Sequence, residues 1–183
     1  MIIMTGFAGQ AGTMAILKES RDKLLERFSK SFLDSIPVCD PKEQAALTKK
    51  IIRKRGVETF LEAGRDGIFA ALWEFGVLED CGMRIDTCSI PMLQETIETA
   101  DYLDINPYED DSTGCIIFLQ NGETADTILS GLRANNINAA VIGYETKDKD
   151  RLLIKGEERR FLTPASRIEA EKRQRETYKC KTR

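Results

Sequence analysis

Apolar residues recur along this chain in two rhythms, short unbroken runs and every third or fourth position. Met1–Thr5, MIIMT, is a run short enough for a buried strand. Gly6, Gly9 and Gly12 follow at every third position, and a helix is expected from Thr13. Over 21–35, Leu24, Leu25, Phe28 and Phe32 keep helical spacing, which predicts one helix ending before Pro37. Asp40-Pro41 reads as a cap and first-turn proline, opening a helix to about Arg55 with Leu47, Ile51 and Ile52 inward. Gly56 stops it.

A strand is expected over 57–63, a turn at Gly64–Gly67 and a strongly apolar helix in IFAALWEFGVL. A short strand at 83–86 precedes a helix over 95–103, and Asn106-Pro107 is a turn. GCIIFL, 114–119, reads as a buried strand, 123–135 as a helix facing Ile128, Leu129 and Leu132 inward, and 139–142 as a strand. Strands at 151–154 and 159–162 straddle Lys155-Gly156-Glu157 as a hairpin. Alternating strands and helices predict an α/β (α+β) layered domain, a mixed or antiparallel sheet backed by helices.

Composition narrows the chemistry. The 183 residues include 27 basic and 30 acidic side chains, a net charge of -3, which argues against a nucleic-acid binder. There is no histidine, which excludes Ser-His-Asp and Cys-His catalysis and His-ligated zinc. The five cysteines are odd in number and none form CxxC, as expected of reduced thiols in a cytoplasmic protein. No apolar run reaches the roughly 20 residues of a membrane span. Between Ile85 and Leu132 lie ten acids and no Lys or Arg, whereas the tail from Ala165 is basic. The expected division is a domain over 1–164 and a basic, helical tail over 165–183.

Three collinear stretches carry a family resemblance. They are the opening strand with GFAGQAGT, then AGRDGIFAALWEFG at 63–76, then INPYEDDSTGCIIFL at 105–119 followed by a helix, AAVIGYET and RLLIKGEERRFLTP. Together they resemble the C-terminal domain of the AIR synthase-related (PurM-like) superfamily, closest to its hydrogenase maturation factor (HypE-like) branch. The resemblance implies that an N-terminal domain carrying most ATP and metal ligands would precede this one. The family pattern His-Asp-x-Thr-x-Gly-Gly falls here on Leu61 to Gly67, with Leu61 for the His, Glu62 for the Asp and Gly64 for the Thr. The reactive C-terminal Cys of the HypE branch has no match, because Cys180 is followed by Lys181, Thr182 and Arg183.

Candidate cofactor-binding residues fall in three clusters. Gly6, Gly9, Gly12 and Thr13 join a strand to a helix, either as bare amides cradling a phosphate or as a tight turn. Arg65 and Gly67 would set a guanidinium beside an anion, or simply make a surface turn. Ser112, Thr113 and Gly114 offer hydroxyls before a buried strand, or only start it. No catalytic residue and no metal ligand is assigned, and the cofactor expectation is limited to a phosphate or nucleotide.

The function expected is a stand-alone, non-catalytic binding or assembly module. The alternative is a subunit of a split ATP-dependent enzyme of the AIR synthase or hydrogenase-maturation type. The partner is a second copy, or a separate chain with a PurM-like N-terminal half, and neither nucleic acid nor a membrane. The first strand is expected at an open sheet edge, where it would pair with that second copy.

Overall fold

The computed structural model describes residues 1–164; the basic tail expected to be helical, and Cys180 with it, lie outside the described residues. Seven strands form one sheet: β1 (Ile2–Thr5), β2 (Phe60–Glu62), β3 (Gly82–Asp86), β4 (Ile116–Leu119), β5 (Ala139–Thr146), β6 (Arg151–Lys155) and β7 (Glu158–Phe161). Their order is β2-β4-β1-β5-β3-β6-β7. Every pairing is antiparallel except β3 with β6, so the expected mixed, helix-backed α/β sheet is present. Six helices accompany it: α1 (Gln10–Leu25), α2 (Lys30–Ser35), α3 (Pro41–Arg53), α4 (Gly67–Leu78), α5 (Gln94–Leu103) and α6 (Gly122–Arg133).

The apolar runs β1 and β4 are buried on both faces because each face has its own helices. On one side Ile2, Met4, Ile117 and Met83 meet the strongly apolar α4 through Ile68, Leu72 and Phe75. On the other, Ile3, Ile116 and Phe118 meet Ile51 and Ile52 of α3 and Ile128 and Leu132 of α6. That second cluster has no member from β3, β6 or β7. A smaller cluster joins α1, α2 and α5 through Leu24, Leu33 and Tyr102.

Two expectations are corrected. The first strand is not an edge: β1 lies inside the sheet, between β4 and β5, and the edges are β2 and β7. It starts the chain, yet its partners arrive from residues 116–119 and 139–143, a pairing no local pattern displays. The single helix over 21–35 is two, because Ser29 turns extended (φ -67, ψ 154) and its hydroxyl accepts the Phe32 N–H, capping α2. The break stacks Phe28 on Phe32, ring centroids 4.8 Å apart, over the small cluster. Strand β5 also runs four residues past Ile142, through a register shift opposite Ile2 and Ile3.

Candidate functional site

Three loops predicted to carry the chemistry converge on Ser112. Its backbone N–H donates to the Gly64 carbonyl (3.0 Å), and its Oγ accepts the Gly9 N–H (3.0 Å) and donates to the Asp110 carbonyl (3.0 Å). Loop 6–13, turn 64–67 and loop 110–115 are thereby tied into one joint at the start of α1 and α4. Ser112, expected to offer its hydroxyl to a ligand, is fully buried, with that hydroxyl bonded to backbone on both sides.

The glycines serve the same joint. Gly9 sits in the left-handed region (φ 69), and a side-chain carbon there would lie 2.8 Å from the Pro107 carbonyl oxygen. Gly67 (φ 79) lies against the backbone of Tyr108 and Glu109. A side chain at either position would be strained and would part the loops. Gly12 lies against the Asp110 carboxylate, and Gly114 against Pro41.

Bare amides were the warrant for a phosphate cradle at residues 6–13, and the amides named there are not bare. Gly6 N–H donates to the Asn138 carbonyl (2.9 Å), Ala8 to Pro91 (2.9 Å), Gly12 to Asp111 (3.0 Å) and Thr13 to Gly9 (3.0 Å). The Thr13 hydroxyl is buried 3.0 Å from both the Gly9 carbonyl and the Thr96 hydroxyl. Four backbone donors that would otherwise face solvent or an anion are thus satisfied by protein oxygens.

Beside this joint lies an open cleft of about 860 Å³. Two of the expected residues, Arg65 and Thr113, line it, with Ala11 and Met14 of α1 on one wall and Pro41 and Lys42 of α3 on another. Its acids are engaged within the chain. Asp40 caps α3 by accepting the N–H of Lys42 (2.8 Å), and Asp111 accepts the Thr113 N–H (2.9 Å) and hydroxyl (2.5 Å). Its cations are not engaged: among the described residues neither Lys42 nor Arg65 makes an ion pair, and both side chains are exposed. An ammonium and a guanidinium therefore border a cleft with their donors unused, which suits a phosphate or carboxylate. Lys42 escaped the sequence analysis, although the Asp40-Pro41 helix start beside it was legible.

Cys39 also borders the cleft, and partial burial together with the neighbouring Asp40 carboxylate pushes its thiol up, away from the reactive thiolate. Buried Cys115 is pushed up to about 12. Leu61 and Glu62, where the resembled pattern has His and Asp, are structural. Leu61 packs on the α4 cluster and Glu62 is ion-paired with Lys49.

No protein-family model matches the chain, and no curated protein does. Solved structures do. A hydrogenase maturation protein HypE matches with TM-score 0.70 at 17% identity, over 89% of this chain and 52% of its own. The E. coli HypE matches at 0.69 and 19%, over 88% and 48%. Thiamine-monophosphate kinase from Stenotrophomonas maltophilia K279a matches at 0.59 and 15%, over 86% and 50%. The chain spans about half the length of these proteins. These neighbours, and PurL with them, share the PurM-like fold, and the α/β architecture described above is that fold.

Proposed function

We propose that this domain is a non-catalytic binding and assembly module of PurM-like fold. It holds a phosphate-bearing ligand in the cleft beside Lys42 and Arg65 and works against a second polypeptide. The observation that carries this reading is the pairing in one cleft of two cations without an ion-pair partner among the described residues with two internally bonded acids. Lys42, Arg65 and Thr113 contact the ligand. Gly6, Gly9, Gly12, Thr13, Gly67, Ser112 and Gly114 form the joint that fixes the cleft wall. The ligand is a phosphate or a nucleotide.

The non-catalytic part rests on β2 and its turn. Phosphoryl transfer needs metal ligands, aligned cations and an oriented nucleophile. Leu61 offers none of these, and Glu62 is committed to Lys49. The assembly part rests on the half of one sheet face that no helix-packed cluster covers among the described residues. Registers align Tyr144, Arg84, Leu152 and Phe161 in one row across β5, β3, β6 and β7, on the face away from α4. Tyr144 is 59% and Phe161 69% exposed there. The partner is a second copy or a separate chain bearing a PurM-like N-terminal half, met in the cytoplasm.

A second reading is a subunit of a split ATP-dependent enzyme. It is favoured by the likeness, at 17% identity and over 52% of its chain, to a HypE solved in complex with ATP. Equilibrium dialysis with AMP tests the binding claim. Lys42→Gln/Arg65→Gln is expected to weaken AMP about tenfold or more, and equal binding by variant and wild type would remove the cleft as the site.

A further inference from the structure

A second cavity, of about 480 Å³, lies on the opposite half of the sheet, where the β6–β7 hairpin meets the 3₁₀ turns at Thr87–Ser89 and Pro107–Glu109. It is within the size range of small-ligand sites. Arg160 is the cross-strand partner of Leu153, and Glu158 that of Lys155, so these four share the face that looks toward α4. Both basic residues border the cavity, and Arg159 adds a third cation from the sheet edge. Among the described residues none of the three makes an ion pair, and Glu158 is the one acid in the lining.

The wall is held before any ligand arrives. The Arg160 guanidinium lies 5.4 Å from the Phe69 ring centroid, and Phe69 in turn stacks on Tyr108 at 4.7 Å and 7°. That stack fixes the guanidinium over a buried ring and leaves its N–H donors for an anion. The Tyr108 hydroxyl donates to the Thr87 carbonyl (3.3 Å), and the Thr87 hydroxyl to the Ile154 carbonyl (3.1 Å), which locks turn to strand. One end of the cavity is thus cationic, and the remainder is the Tyr108 ring with Leu153, beside the backbone of Ile154.

We propose that this cavity binds a phosphomonoester with a flat apolar body. Lys155 and Arg160 meet the phosphate, and Tyr108 and Leu153 meet the body. A dianion suits several unpaired cations, and the guanidinium fork suits phosphate oxygens. The site shares no lining residue with the Lys42–Arg65 cleft and does not depend on it.

Calorimetry on the full chain with phenyl phosphate and with inorganic phosphate provides the test. Phenyl phosphate should bind saturably and more tightly than inorganic phosphate. Lys155→Gln/Arg160→Gln should raise its Kd about tenfold or more, and Arg65→Gln should change it less than about twofold. Arg160→Lys keeps the charge without the fork and should weaken binding by a smaller factor, which guards against a double variant that misfolds. No saturable heat from phenyl phosphate, or an affinity that falls with Arg65→Gln and not with the hairpin variants, would overturn the proposal.

Discussion

Ser112 is where chemistry legible in the sequence takes on a different role in the fold. A hydroxyl beside two acids and a glycine looks like ligand chemistry, yet both of its bonds are to backbone. Ser112→Ala would orphan the buried Gly9 N–H and is expected to cost about 1–3 kcal/mol by urea unfolding. Gly67→Ala, at φ 79 against the backbone of Tyr108 and Glu109, should cost about 1–3 kcal/mol or more by the same measurement. The glycines were recognisable as special; what they approach is set by contacts some 40 to 100 residues away, which spacing does not encode. Arg65, expected beside an anion, lines the cleft, and an exposed guanidinium in a tight turn is visible without a distant partner.

At the scale of elements, strand and helix types were read well because burial on both faces gives unbroken apolar runs, as in β1 and β4. Boundaries and order were not. Ser29 breaks a helical pattern through its own cap, and β1 is central only because β4 and β5 flank it. The turn between β5 and β6 shows how side chains fix such pairings. Asp148 accepts bonds from the Thr146 hydroxyl (2.9 Å) and from Arg84 (2.8 Å), and these hold its carboxyl below the usual range. Asp80 is lowered in the same way by Lys149. A carboxyl with a depressed folded value contributes stability above its unfolded pKa and loses it as pH falls through the folded one. Asp148→Asn should therefore lower the melting temperature at neutral pH, and the gap to wild type should narrow as pH falls through and below the usual carboxylate range. A gap that stays constant with pH would assign the effect to something other than the charge.

Over the described residues the molecule is an asymmetric sandwich, with α4 on one face of the sheet and α3 and α6 over half of the other. Among the described residues no helix-packed cluster covers the other half, which presents the row Tyr144, Arg84, Leu152 and Phe161 with exposed aromatic rings at its two ends. Exposed aromatic side chains of this kind suit an interface, and a symmetric pair is the commonest way to cover them. Light scattering at micromolar concentration should give twice the 20.6 kDa chain mass. Tyr144→Ser/Phe161→Ser should return it to the single-chain value, since both side chains are exposed within one chain. The central claim is ligand binding without turnover at the Lys42–Arg65 cleft, and titration calorimetry with ATP and Mg²⁺ tests it most directly. The expected result is a saturable heat, lost in Lys42→Gln/Arg65→Gln, with a flat baseline after saturation. A continuing heat of hydrolysis, or no saturable binding, would contradict it.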